Sequence, residues 1–256
     1  MSNVNIAGRQ MGDEMGLRDN TPVPLEFHYE ALASLLSNAG SHNHVGYFDD
    51  FLGDTMKAEW ATDLSTSSTA TLNQQAAGAI RLTTHTDDNA NATLCLGLHW
   101  LVSSGPIIFR ARVKQITAIT LRGVEIGLSD ALSETNGQAF TSHTTPTAVA
   151  DDAALFGFNH DDTSVIFSAV SVNGGGTEQG DDLTAAPSTA YSDFSIVIDA
   201  AGNAYFYTGQ TPTLVATHAL AVATTALLTP WISITNLTAT SARAMDVDYV
   251  VIGSTR

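Results

Sequence analysis

Phe194-Ser195-Ile196-Val197-Ile198-Asp199 alternates apolar and polar residues, turns at Ala201-Gly202-Asn203, and resumes as Ala204-Tyr205-Phe206-Tyr207. A break at Gly209-Gln210-Thr211-Pro212 follows. Two further runs come after it, Trp231-Ile232-Ser233-Ile234 and Asp246-Val247-Asp248-Tyr249-Val250-Val251-Ile252. Alternating β-branched and aromatic residues punctuated by Gly, Asn and Pro form the pattern of half-buried antiparallel strands. The stretch from Tyr191 to Arg256 therefore fixes an all-β class, and no catalytic motif sits in it.

Working back toward the N-terminus, strands are expected around Trp60 and over residues 78–83, 92–98, 105–115, 122–129, 155–159 and 165–172. Those of the last third are expected over 194–199, 204–207, 231–235 and 246–253. Many short strands joined by Thr, Ser, Gly and Asn connections indicate a sandwich. Two long connections, Thr135 to Asp152 and Asn173 to Ser192, are small-residue and polar, and are expected on the surface. The first 45 residues differ in character. Ser2 to Asn20 has no period and reads as an extended arm. Leu25, Tyr29, Leu32, Leu35 and Leu36 recur at helical spacing, which predicts one short amphipathic helix over 24–38, ended at Gly40. The expected organisation is an N-terminal arm with a short helix over 1–45 and a β-sandwich over 46–256.

The chain has 26 acidic and 10 basic residues, a formal charge of −16. That balance repels nucleic acid and anionic membranes, so neither is an expected partner. A single cysteine, Cys95, excludes an intrachain disulfide, and its apolar setting reads as a buried small hydrophobe. No charged-then-apolar leader opens the sequence and no apolar run is long enough to span a bilayer, so synthesis in a cytoplasm is expected.

The order of several short pieces resembles the concanavalin A-like lectin/glucanase jelly roll, in particular the version found in tailed-phage virion proteins. The pieces are Tyr47-Phe48-Asp49-Asp50-Phe51, Ile107-Ile108-Phe109-Arg110-Ala111-Arg112-Val113, Val124-Glu125-Ile126-Gly127-Leu128-Ser129-Asp130 and Leu155-Phe156-Gly157-Phe158. Residues 197–206, Leu228-Thr229-Pro230-Trp231-Ile232 and Val247-Asp248-Tyr249-Val250 complete the set. The resemblance implies a two-sheet antiparallel jelly roll whose first and last strands pair, residues 47–52 against 246–252. It further implies a non-enzymatic virion protein made in a host cytoplasm and displayed on the virion surface as a capsid decoration. Its partners would be the major capsid protein or another virion protein, and sister subunits in a homo-oligomer such as a trimer. The alternative is a carbohydrate-binding module or fibre appendage that binds host surface glycans. Met11, Met15, Leu17, Val23, Leu25, Leu32 and Leu35 are too apolar to stay in water and are the expected interaction residues, because each buried large apolar side chain contributes roughly 1.5–3 kcal/mol.

Glycoside hydrolysis needs two carboxylates flanking the scissile bond. No Glu-x-Asp-x-Glu strand is present. Glu125 stands alone, and Asp246 and Asp248 alternate on the last strand, where a solvated face is the expected role. No Gly-x-Ser-x-Gly elbow appears. His42-Asn43-His44 supplies two imidazoles, too few for a metal site. Asp87-Asp88-Asn89-Ala90-Asn91, His160-Asp161-Asp162 and Gly180-Asp181-Asp182 are oxygen-rich, but none follows the calcium-loop pattern. No catalytic residue, cofactor or metal is expected. Trp231 is expected in the core and not as a sugar platform, facing opposite to Ile232. The sequons at Asn91 and Asn236 are read as chance.

Overall fold

The computed structural model describes residues 44–73, 78–97, 99–116, 122–159, 166–184, 186–238 and 240–255. The expected interaction residues Met11, Met15, Leu17, Val23, Leu25, Leu32 and Leu35, the expected helix, His42 and the 160–162 acidic run lie outside the described residues.

The strands, in chain order, begin with β1 (His44–Asp49), β2 (Trp60–Leu64), β3 (Thr69–Leu72), β4 (Ile80–Thr83), β5 (Asn91–Leu96) and β6 (Trp100–Leu101). The middle of the chain supplies β7 (Ile107–Gln115), β8 (Arg122–Ser129), β9 (Phe140–Ser142), β10 (Thr147–Ala148), β11 (Ala153–Asn159) and β12 (Ser168–Asn173). The remainder are β13 (Thr177–Asp182), β14 (Ser192–Ile198), β15 (Ala204–Thr208), β16 (Thr213–His218), β17 (Leu227–Asn236) and β18 (Ala244–Thr255). The first sheet runs β16-β15-β14-β7-β18-β4-β3, with β1 also on β18. The second runs β13-β12-β11-β8-β17-β5-β2, with β6 also on β17. A β9-β10 hairpin stands apart.

Alternation along each strand places one set of side chains between the sheets. Phe109, Ile196, Phe206 and Val250 of the first sheet meet Leu94, Ile126, Phe156 and Ile232 of the second in one cluster. At its centre Phe156 packs 5.0 Å from Phe194 and 5.4 Å from Phe206, centroid to centroid.

The expected pairing of the first and last strands is present, over a shorter span. Tyr47 lies opposite Ile252, Phe48 opposite Val251 and Asp49 opposite Val250, antiparallel. Residues 50–52 leave the strand because the Asp49 carboxylate accepts the Phe51 N–H at 3.0 Å. Phe51 takes a φ of 53° and turns into the core beside Trp60. The other half of β18 pairs instead with β4, Asp246 opposite Arg81.

The first long connection departs from expectation and the second lies at the surface as expected over most of its described residues. The first does not ride on the surface: Gln138, Ala139, Phe140, His143 and Ala150 within it are buried, packed over the second sheet. The second contains an edge strand, β13, whose residues are almost all exposed.

Candidate functional site

The outward faces of the two sheets differ in what covers them. On the second sheet Phe140, Ala139 and Ala150 of the 131–152 segment pack on Trp231, Cys95, Leu155, Val170 and Val172. Glycines inside strands clear the space. A Cβ on Gly157 would come within 1.9 Å of the His143 ring, and one on Gly123 within 2.7 Å of Gln138 Nε2. Beneath the segment lies Glu125, 1% exposed. Its Oε2 accepts the backbone N–H of Ala139 at 2.7 Å and the indole N–H of Trp231 at 2.8 Å. Its Oε1 accepts the backbone N–H of Phe140 at 2.8 Å and His143 Nε2 at 3.0 Å. Four donors converging on one buried carboxylate make a tie between strand β8 and the covering segment. A general acid must reach substrate, and this carboxylate is walled off.

The outward face of the first sheet divides into a polar and an apolar half. The polar half carries Arg81, Arg110, Arg112 and Lys114, four of the chain's ten basic residues, laced to Asp193, Asp246 and Asp248. Asp246, fully buried, takes Arg81 Nε at 2.7 Å and Nη2 at 2.9 Å, with Lys114 Nζ 3.9 Å away. Asp193 accepts Arg110 Nη2 at 2.8 Å and the Tyr249 hydroxyl at 2.6 Å, both on Oδ1. Arg112 donates to Asp248 at 3.0 Å, and its Nε stands 4.0 Å from Asp193 Oδ2. A bulge between Val247 and Tyr249 lets Asp246, Asp248 and Tyr249 serve this one face. The expectation of a solvated strand face for Asp246 and Asp248 is therefore corrected: both are buried partners of arginines.

Against this lattice lies a hollow of about 320 Å³, lined chiefly by Arg112, Tyr191, Asp193, Thr208 and Gln210. The Tyr191 ring carries Arg112 at 4.8 Å and Lys114 at 4.6 Å from its centroid. Burial, reinforced by Asp246 and Asp248, raises the Tyr191 phenol above its usual range, so it stays a neutral hydroxyl. The hollow thus offers an aromatic side, guanidinium donors, a carboxylate oxygen and an amide within one small concavity.

The other residues singled out in the sequence have structural roles. All three tryptophans are buried; Trp60 donates its indole N–H to Asp49 at 2.7 Å. Trp231 and Ile232 do face opposite ways, yet both faces are buried, Trp231 under the covering segment and Ile232 between the sheets. Cys95 is buried as expected. Asn91 and Asn236 are buried with their amides donating to backbone carbonyls, so neither sequon is open to a glycan in the folded chain. Asp87 pairs with His85 at 2.9 Å, and Asp182 accepts from Ser168 at 2.7 Å. Among the described residues no group of three or more His, Cys, Asp or Glu is placed to hold a metal. The hollow's own residues were missed because Tyr191, Thr208 and Gln210 sit at strand ends and a turn, where alternation gives no signal.

The fold is that of the concanavalin A-like jelly rolls, all-β with two antiparallel sheets. Among solved structures it is similar to the Emp47p carbohydrate recognition domain, at TM-score 0.56 and 8% identity over 84% of this chain and 98% of that one. Peanut lectin gives TM-score 0.56 and 7% identity over 82% of this chain and 97% of that one. A GH16 protein from Bacteroides ovatus, in complex with a mixed-linkage glucan product, gives 0.54 and 9% over 80% and 99%. Lectins and glycosidases both occur among these neighbours, so the fold is compatible with either. No family model matches the chain, and no curated protein matches it in sequence.

Proposed function

We propose that this protein is a non-catalytic carbohydrate-binding domain that takes a sugar residue in the hollow bounded by Tyr191, Arg112, Asp193 and Gln210. The observation that carries the reading is the hollow itself: its volume falls at the small end of ligand pockets, about 300–1,000 Å³. Its lining pairs an aromatic ring with donors and an acceptor. Sugars present an apolar C–H face and vicinal hydroxyls, and such a lining meets both. Arg112 Nε and Asp193 Oδ2, 4.0 Å apart, are spaced for one donor and one acceptor to engage adjacent hydroxyls. The likeness to carbohydrate recognition domains and to peanut lectin supports the same reading.

The carboxylates argue for binding and against cleavage. Asp193 and Asp248 are faced by arginine and tyrosine donors, and Glu125 is sealed beneath its segment. Neither arrangement gives the acid and base pair that glycoside hydrolysis uses. Capsid decoration, with the major capsid protein and sister subunits as partners on a virion surface, is the competing proposal; it rests on the sequence resemblance alone.

The test is a glycan array followed by calorimetric titration of the best ligand. Tyr191→Ala should weaken binding at least tenfold with an unchanged circular dichroism spectrum. Absence of any array signal, or a Tyr191→Ala variant that binds as well as the parent, would sink the assignment.

A further inference from the structure

The apolar half of the first sheet's outward face is buried more deeply than its own sheet can account for. Ile108 of β7, Val197 of β14, Tyr207 of β15 and Val251 of β18 point away from the core and cluster with Tyr205 and Tyr249. Every member belongs to one face of one sheet, yet the first four are only 3–4% exposed. Neighbours within a sheet shield the flanks of a side chain that stands perpendicular to it, and leave its tip open. Ile108 lacks even a full set of flanks. Its register partner on β18 is Gly253, and the partner of Gly253 on β1 is Gly46. Two glycines floor a trough there, and Gly253 is buried although only Ile108 stands beside it on that row. A second layer over this face would account for that burial.

The chain supplies an occupant. β1 begins at His44, opposite Thr255, at the same end of the sheet as Ile107 and Ile108. The chain therefore enters β1 beside the trough, with 43 residues preceding it in the sequence. Their apolar residues nearest β1 in the sequence are Leu25, Tyr29, Leu32, Leu35 and Leu36, on one side at helical spacing. The eight residues from Leu36 to His44 reach up to roughly 26–29 Å when extended. Crossing from β1 over β18 and β7 to β14 takes three inter-strand steps, about 14 Å, so the reach is ample. We infer that residues 24–38 dock in cis in the trough formed by Ile108, Val197, Tyr207 and Val251, as the outer layer of the first sheet. The inference does not depend on the glycan reading. An arm held in this way keeps its leucines on its own sandwich, and they are not available to grip a capsid or a sister subunit.

The full chain carrying Cys95→Ala and Val197→Cys reports on the cover through the alkylation rate of the introduced thiol by N-ethylmaleimide. In this chain the thiol should react at least 100-fold more slowly than a free cysteine peptide, at all protein concentrations. Adding Leu32→Asp and Leu35→Asp should raise the rate at least tenfold and lower the urea midpoint, while the circular dichroism spectrum of the β-sandwich is unchanged. Val251→Cys, on the neighbouring strand, gives the same readout should Val197→Cys fail to fold. Rapid alkylation of the chain with the intact arm overturns the inference. So does protection that survives the two aspartates. Protection that disappears on dilution assigns the cover to a second copy and overturns it equally.

Discussion

Replacing Glu125 by glutamine changes one atom and confronts a fixed set of donors. The carboxylate takes two N–H groups on each oxygen. An amide keeps one oxygen and turns the other into a donor. If the NH₂ replaces Oε2, it faces the Ala139 and Trp231 N–H groups, and neither can accept. If it replaces Oε1, it faces His143, which can switch tautomer and accept, and the Phe140 N–H, which cannot. The second orientation is the better one and still leaves one buried backbone donor unmet, at about 1–3 kcal/mol. The surviving bonds also lose their charge assistance, on the order of 0.5–1 kcal/mol each. Relief from burying a charge offsets part of this. We expect Glu125→Gln to lose about 3 kcal/mol, a drop of roughly 6–12 °C in Tm for a domain of this size. Urea unfolding read by tryptophan fluorescence measures it, and limited proteolysis reports where the loosening starts, which should be within 131–152. A midpoint within 0.5 kcal/mol of the parent, with the segment equally protected, would refute the view that this carboxylate ties down the cover. The variant should still bind glycan below its melting temperature, because the hollow lies on the other sheet.

Three further outcomes follow from buried charge. His218 bridges the sheet edges, its Nδ1 2.8 Å from Ser171 Oγ and its Nε2 3.4 Å from Asp181. Burial outweighs Asp181 and lowers its pKa below 6.5, so the unfolded chain binds the proton more readily. This contribution to stability is complete above the unfolded value and is lost as pH falls, so His218→Gln should flatten the decline in urea midpoint between pH 7 and 5. Glu134 works in the opposite sense: burial, with Asp130 and Glu125 nearby, raises its carboxyl from 4.5 to about 7. Its contribution is complete below pH 4.5 and is lost as pH rises through 7, so Glu134→Gln should exceed the parent in stability at pH 8 and match it near pH 4. Arg81→Met should cost about 2 kcal/mol by stranding buried Asp246, and adding Asp246→Asn should recover much of that loss in a double-mutant cycle of urea midpoints.

Alternation is a signal wherever apolar and polar residue types take turns along a strand. Residues 194–199, 204–207 and 246–252 carry it and were legible, although the structure buries nearly all of both their faces; the pairing of β1 with β18 came from the family resemblance and not from the period. β13 and β16 were not legible, because these edge strands are exposed along almost all of β13 and most of β16 and carry little period. A partial signal for the covering segment was present: Gly123 and Gly157 lie within strands, and glycine there often marks a close approach by another part of the chain.

The amino-acid sequence alone determined the all-β class, the sandwich, the buried Cys95 and Trp231, and the lack of a paired-carboxylate strand. These are local properties of residue type and spacing, with periods of two or four. Only the tertiary structure decided that Glu125 is sealed and that Asp246 and Asp248 are bound to arginines. It alone brought Tyr191, Arg112 and Gln210 around one hollow. Those facts depend on register between strands far apart in the chain and on a bulge at Asp248, and a one-residue slip in either would send each of these side chains to the opposite face.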